Sequence, residues 1–291
     1  MLTYKIGDVR VTRLQELAVV TGRPAALPQF TRDQAKREGE WIAPFVDEAG
    51  RLLLSIHAWL VESEGRKILV DTCVGNHKPR SRFKEFDNLD LPFLADIAAA
   101  GATPDTIDVV LCTHLHVDHV GWNTTLVEER WVPTFPKSRY LMCAREWDHW
   151  SHFEGPSDMA VQIEDSVRPV VDAGLAELVE PTHRLTSEVW LEPTPGHTPG
   201  HASVRIASCG EAAVITGDVM HHPIQIAHPD WVCAFDTDPA MGSQTRRQFV
   251  ERYCDRPIRV LGTHFGGPSA GHIVRRNGSF QLLSLAQKSE T

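Results

Sequence analysis

The feature that most constrains this chain is a cluster of histidines directly behind a short apolar segment. Thr113–His119 reads THLHVDH, with three histidines and one aspartate inside six residues. The preceding Val109–Cys112 reads VVLC, and a short continuous apolar run of this kind predicts a buried strand. The histidines are therefore expected where the chain leaves the edge of a sheet.

Backbone geometry predicts that these polar side chains meet. Alternate side chains of an extended chain point to the same face. We therefore expect three of them to converge: His114, His116 and Asp118. His119 joins them if the chain coils into a helix after Asp118. Imidazole and carboxylate groups gathered at one point predict a metal site that suits Zn²⁺ best, with Mn²⁺ or Fe²⁺ as less decisive alternatives.

Three later segments also present ligand-type residues. Thr194–His201 reads TPGHTPGH, a Pro/Gly double turn that presents histidines at fixed angles. Ala213–Asp218 and Val260–His264 each show an apolar strand, a small residue and then a potential ligand. The chain therefore offers more ligands than one ion needs.

Composition narrows the class of protein. Hydrophobic residues make up 42% and charged residues 23% of the 291 residues, as in soluble globular proteins. We find no apolar stretch long enough for a membrane span and no secretory pattern at the start, so the expected location is cytoplasmic, without a membrane partner. The net charge of −9 argues against a nucleic-acid partner. Six scattered cysteines without a CxxC motif argue against a disulfide framework.

Strand and helix patterns alternate along the chain, which predicts an α/β protein with a single domain over residues 1–291. The helices are expected at 31–38, 93–100, 144–152 and 242–254. Residues 21–50 are rich in Pro and Gly and poorly periodic. Long segments of this type often form lids or binding loops, so we expect a lid or a dimer contact here, and a homodimer stays open.

In combination, these motifs resemble the metallo-β-lactamase-fold superfamily. The resemblance covers Asp71 to His264 and includes HxHxDH, the Gly-His-Thr-Pro-Gly turn, a strand-end Gly-Asp and a late strand-end His. It implies a four-layer αβ/βα sandwich with a dinuclear metal site at the sheet edges. The implied cofactors are two Zn²⁺ per chain, with Mn²⁺, Fe²⁺ or Co²⁺ as alternatives.

The resemblance also assigns the ligands. One metal would be held by His114, His116 and His197, and the other by Asp118, His119 and His264. Asp218 would bridge the two. Asp71, at the end of a predicted strand, is expected to orient a ligand loop rather than to bind metal. His201 is expected to have a structural role.

The implied activity is hydrolysis of a small molecule. In such a site a metal-bound hydroxide attacks while the metals polarise the attacked group. We expect a lactone or a carboxylic ester as substrate; phosphotriesters, β-lactams and thioesters are alternatives for the same site. Acyl-homoserine lactonases of this fold carry Tyr three residues after the bridging Asp, where this chain has His221. The sequence therefore looks more like the methyl parathion hydrolase-like and promiscuous lactonase/esterase branch.

The proton donors and the substrate pocket are predicted from the position of residues near the ligands in the sequence. Asp118 and His221 are rival proton donors, because both would lie beside the attacked group and imidazole titrates near neutral pH. The predicted substrate pocket consists of Trp122, His221, His222 and Phe265.

Two other classes use related ligand sets. An RNA-processing nuclease would need a basic groove, which the acidic composition disfavours. Iron-dependent persulfide oxidation needs one iron and not the second set of ligands.

Overall fold

A seven-stranded mixed sheet carries the first half of the fold in a computed structural model that describes residues 1–22 and 26–285. Strands are numbered along the chain, and two of them, β6 (Thr124–Val127) and β7 (Arg130–Pro133), form a separate hairpin. The large sheet has the order β1 (Leu2–Ile6), β2 (Val9–Thr21), β3 (Leu52–Ser63), β4 (Arg66–Val70), β5 (Val109–Leu111), β8 (Arg139–Cys143) and β9 (Ala176–Val179). From β4 to β9 the neighbours are parallel, and the others are antiparallel.

A six-stranded sheet follows in the second half. Its order is β10 (Val189–Pro193), β11 (Ala202–Ser208), β12 (Glu211–Ile215), β13 (Ile258–Leu261), β14 (Ala270–Arg276) and β15 (Ser279–Ser284). Only β12 and β13 are parallel neighbours among these described strands. Because both sheets contain a parallel pair, each has an edge at which the carboxyl ends of adjacent strands meet.

The two sheets pack face to face and helices cover both outer faces. The helices are α1 (Arg32–Glu38), α2 (Phe93–Ala99), α3 (Ala144–Ser151), α4 (Arg168–Asp172), α5 (Ile224–Ala227) and α6 (Pro239–Tyr253). In β3, Trp59 and Val61 face the core between the sheets, whereas Ala58 and Leu60 face the core that includes α2, α3 and α4. The second sheet packs outwards on α5 and α6. The four-layer αβ/βα sandwich expected from the sequence is confirmed.

The described part of segment 21–50 covers the outer face of the second sheet. It places five apolar side chains in the same core as α5 and α6: Leu27, Phe30, Ala35, Ile42 and Phe45. The predicted helix is present as α1, and Thr31 caps it by accepting a hydrogen bond from the Gln34 N–H. Residues 23–25 lie outside the described residues, and the lid or dimer role of this segment stays a prediction. Along 1–22 and 26–285, no helix is long and apolar enough to span a bilayer.

Backbone hydrogen bonds tie the histidine loop to the exit of β4. The Thr72 N–H donates to the His119 carbonyl at 2.7 Å, and the Gly121 N–H donates to the Cys73 carbonyl at 2.7 Å. Gly121 is needed for this approach, because an added Cβ would lie 1.8 Å from the carbonyl oxygen of Val74. The loops after β4 and β5 therefore form one unit.

Gly121→Ala should destabilise the protein by about 1–3 kcal/mol or more, because the clash is with backbone that cannot rotate away. Denaturant unfolding of the purified protein measures this. Gly22→Ala is the matched control, since its Cβ would meet only the mobile end of the Arg32 side chain. Equal midpoints for Gly121→Ala and the unmodified protein would contradict the packing argument.

A buried ion pair holds the loop after β4 against the helical layer. The Arg80 guanidinium donates to both oxygens of Asp165, at 2.6 and 2.9 Å, and Lys78 lies 3.6 Å from the same carboxylate. Both basic side chains are fully buried. Burial alone would raise the pKa of Asp165, but the hydrogen bond from Arg80 and the charge of Lys78 lower it below its usual value.

Asp165→Asn should cost about 3–5 kcal/mol of unfolding free energy at neutral pH, because it leaves buried cations without their partner. The folded-state pKa of Asp165 is depressed, so its contribution is present above the unfolded value of 3.8 and is lost as the pH falls through the lower folded value. The difference between variant and unmodified protein should therefore shrink in acid. Glu164→Gln, which removes an exposed pair with Arg168, should cost no more than about 0.5 kcal/mol. Equal losses in the two variants would show that burial does not matter here.

Candidate metal centre

The first group of ligands joins the loop after β5 to the turn between β10 and β11. The His116 Nδ1 lies 3.0 Å from the His114 Nε2 and 2.9 Å from the His197 Nε2. Tetrahedral zinc with bonds of about 2.0–2.1 Å separates its nitrogen ligands by roughly 3.3 Å. The three rings therefore sit at the spacing that one cation requires.

The second group uses the same loop and the end of β13. The Nε2 atoms of His119 and His264 lie 3.1 Å apart, and Asp118 oxygens lie 3.7 Å from each of them. His119 reaches this position through a turn, in which its N–H donates to the His116 carbonyl at 3.1 Å, and not through a helix after Asp118. A tight turn suffices to bring it in because the loop is pinned to the β4 exit.

Asp218 lies between the two groups, in a short turn after β12. Its Oδ2 is 3.3 Å from the His197 Nε2 and 3.7 Å from the His114 Nε2. Its Oδ1 is 3.0 Å from the His264 Nε2 and 3.4 Å from the His119 Nε2. One oxygen thus faces each group of histidines, which is the arrangement that a bridging carboxylate needs.

Hydrogen bonds at the far side of three rings orient them towards the centre. The His119 Nδ1–H donates to Asp71 at 3.0 Å. The His197 Nδ1–H donates to Asp236 at 2.9 Å, and the His264 Nδ1–H donates to the Ser55 carbonyl at 3.1 Å. Each Nε2 then keeps its lone pair for a ligand position. Asp71 takes the orienting position expected from the sequence and also accepts from the Thr113 N–H at 2.8 Å.

The donor set fits a pair of divalent cations. Asp218 Oδ1 is buried without a hydrogen-bond donor, although histidine nitrogens surround it. Burial, followed by the nearby imidazoles, lowers the pKa values of His114 and His116 well below 6.5, so both rings are neutral, as metal binding requires. Burial would raise the pKa of Asp218, but the surrounding histidines, His119 first, hold it well below its usual range. A set of imidazoles and carboxylates is one that zinc accepts.

Two buried residues lock the ligand loops together. His201 accepts from the Asp218 N–H at 2.7 Å and donates from Nδ1 to the Thr194 carbonyl at 2.9 Å, a structural role as expected. Glu146, on α3, accepts from the Leu115 N–H at 3.3 Å and the Gly200 N–H at 2.8 Å. Each therefore connects two separate parts of the site.

His221 lies inside the centre. Its Nε2 is 3.1 Å from Asp218 Oδ2, and its ring stacks on His264 with the planes 7° apart. Burial alone would lower the pKa of His221, but the charges of Cys233 and Asp218 raise it to about 10. A protonated imidazole at this point is able to donate a hydrogen bond or a proton.

The other three predicted pocket residues belong to the protein interior, which corrects the assignment by adjacency. Trp122 stacks on Phe93 and donates to Glu16 at 2.6 Å. Phe265 is fully buried against Phe45. His222 is fully buried, and its Nε2 donates to the Phe45 carbonyl at 2.9 Å. Each of these side chains therefore packs into the interior of the protein instead of lining a cleft.

Sequence reasoning missed two residues that contact the site from the loop before α6. Asp236 orients His197, and Cys233 Sγ lies 3.6 Å from the His221 Nε2. No strand or turn motif precedes them. The only available signal was their chemical type, which is too common to locate a site.

A profile of the metallo-beta-lactamase superfamily matches residues 51–267, about three quarters of the chain. The chain belongs to this superfamily. Proteins with similar sequences include an "N-acyl homoserine lactonase" from Bacillus sp and "N-acyl homoserine lactonase AiiA" from Bacillus thuringiensis subsp. kurstaki. Each is 24% identical over 226 residues, which cover 73% of this chain and 83% of the relative.

Solved structures of similar fold align with nearly the whole chain. A dizinc quorum-quenching lactonase, AidC, solved with a product, aligns with a TM-score of 0.81 and 19% identity over 99% of this chain and 98% of its own. The hydrolase AbOPH aligns with a TM-score of 0.80 and 23% identity over 99% and 98% of the two chains. At this identity the likeness establishes the fold.

Asp71→Asn and Asp236→Asn should each weaken the binding of one divalent cation about 10–100-fold, because each variant loses the carboxylate that orients a ligand ring. The Asp71 variant should affect the ion held by His119, and the Asp236 variant the ion held by His197. Metal content after dialysis against a graded series of chelator concentrations measures both. Asp105→Asn, on the surface, is the control. Two ions retained by all three variants at the same chelator concentration would contradict the assignment.

Proposed function

We propose that the chain is a dinuclear zinc hydrolase that opens a lactone or cleaves a carboxylic ester of a small molecule. The observation that carries the proposal is the position of Asp218, whose two oxygens face two groups of candidate ligands. A single-ion enzyme has no need for the second set, so this arrangement favours hydrolysis over iron-dependent oxidation. The acidic net charge of −9 disfavours a nuclease.

The bound ions would supply a polarised carbonyl and a water of lowered pKa. The residues of the chain must then place the substrate and move protons. Asp118 is the carboxylate that reaches solvent: its side chain is 17% exposed, against 4% for Asp218. We infer that Asp118 takes the proton from the attacking water and returns it to the leaving alkoxide.

His221 is the second group in reach of the substrate. Its Nε2 lies 3.1 Å from Asp218 Oδ2, and its ring stacks on the ring of His264. An N–H there would donate to the substrate carbonyl and stabilise the negative charge that develops on its oxygen. Asp118 thus acts on the leaving group, and His221 acts on the carbonyl.

The substrate class rests on two further points. The relatives named above are N-acyl homoserine lactonases, which makes a lactone the first substrate to test. Phe235, two residues after Cys233, packs edge-on against Phe83 with ring centroids 5.7 Å apart, and both are half-buried. Phe235 belongs to the loop whose Cys233 contacts His221, so this aromatic pair is a candidate surface for an apolar acyl or aryl group.

The direct test is a screen of purified protein, with and without Zn²⁺, Mn²⁺ or Co²⁺, against N-acyl homoserine lactones, simple lactones, aryl esters, phosphotriesters and β-lactams. We expect metal-dependent turnover of lactones or aryl esters. Activity confined to phosphotriesters or β-lactams would contradict the proposed substrate class but would remain consistent with the dinuclear mechanism. Loaded protein that turns over none of these would refute the proposal.

His221→Leu should lower kcat about 10²–10³-fold on the best substrate, because leucine has no N–H to donate to the carbonyl. The adjacent His222→Leu is the matched comparison: the His222 ring bonds to the Phe45 carbonyl, so its loss should appear in thermal stability and leave kcat within a few fold. Steady-state kinetics and a thermal melt of each variant separate the two effects. Equal kcat losses in both variants would contradict the proposed role of His221 as a hydrogen-bond donor to the substrate carbonyl.

A further inference from the structure

The loop Cys233–Asp236 places a thiol against the metal centre. Cys233 is 1% exposed, and its Sγ lies 3.6 Å from the His221 Nε2. Two contacts fix the loop there: Asp236 bonds to His197, and its second oxygen accepts from the Cys233 N–H at 2.9 Å. The Phe235 N–H also points at the sulfur, at 3.3 Å. The position of the sulfur is therefore built into the loop.

The thiol and two imidazoles are spaced for a cation. Ligand atoms of His197, His221 and Cys233 all lie within 4.8 Å of one another. Tetrahedral zinc with a thiolate bond of about 2.3 Å and an imidazole bond of about 2.0 Å separates sulfur from nitrogen by roughly 3.5 Å. The observed separation is 3.6 Å. Asp218 Oδ2, 3.1 Å from the His221 Nε2, is in reach as a fourth ligand.

This set shares His197 with the first group of the dinuclear centre. The His197 Nε2 lies 2.9 Å from the His116 Nδ1, so an ion bound with His116 and an ion bound with Cys233 would compete for the same lone pair. The two positions differ in their ligand atoms. The position with His116 offers only nitrogen and oxygen, whereas the position with Cys233 adds sulfur. Thiolate ligands favour soft cations, whereas carboxylate and imidazole suit harder ones.

We propose that Cys233 and His221 form with His197 an alternative, thiolate-containing position for the first ion, which soft divalent cations such as Cd²⁺ occupy. Binding forms a sulfur–metal bond and a bond from the His221 Nε2, and the proton that the Cys233–His221 pair holds leaves to solvent without any change of oxidation state. Occupation of this position would withdraw His221 from the substrate.

The experiment uses the full chain stripped of metal with a chelator and titrated with Cd²⁺ and, separately, Co²⁺. We expect a near-ultraviolet thiolate-to-metal absorption band within the first equivalents. Cys233→Ser should lose the band and bind Cd²⁺ at least about tenfold more weakly, since loss of a ligand should exceed the effect of losing an orienting residue. Cys209→Ser, which removes an exposed thiol, should keep both the absorption band and the affinity for Cd²⁺.

The absence of the band from the unmodified protein, or its persistence in Cys233→Ser, would overturn the proposal and leave a simple thiol–imidazole hydrogen bond. Circular dichroism checks that the serine variant is folded. If it is not, the cadmium-113 resonance of the unmodified protein decides, because thiolate ligation moves it strongly downfield. None of these readouts requires turnover, so failure of the hydrolase proposal and failure of this one are distinguishable.

Discussion

The structure depends on one buried carboxylate and the imidazoles around it. Asp218 is almost fully buried, and four histidines approach its oxygens within 3.4 Å. An isolated carboxylate in such a place would cost several kcal/mol in lost hydration. The neighbouring histidines offset this cost, and their own orientation is fixed by oxygens farther out. Charge compensation thus extends from the centre through the ligands to Asp71 and Asp236.

This layered arrangement explains why the ligand loops have little freedom. Each loop begins at a strand end, so one end is already fixed by a sheet. Its other contacts are buried hydrogen bonds, such as those of Glu146 to the Leu115 and Gly200 N–H groups. A site that must accept cations at set distances gains from such preorganisation, because little conformational entropy remains to be lost on binding.

Local sequence predicted the fold and the convergence of the candidate ligands for a physical reason. Strand ends such as Leu111 and Leu261 are marked by apolar runs, and the residues just after them must lie at a sheet edge. Family resemblance then divided the ligands into two groups, and the structure brings the same groups together. Adjacency failed for Trp122 and Phe265, because a residue near a ligand in sequence is able to pack into a core beside the site, as both of these do. Cys233 and Asp236 were beyond reach, since the contact with His197 crosses 39 residues and no periodic pattern marks their loop.

The centre also joins parts of the chain that are made at different times. His119 and His264 face each other at 3.1 Å, although 145 residues separate them. During synthesis at about 5–20 residues per second, the first histidines would wait roughly 7–30 s before the last one emerges. The nascent chain therefore exposes only part of the ligand set at first, and correct binding of a pair of cations must wait until His264 has emerged.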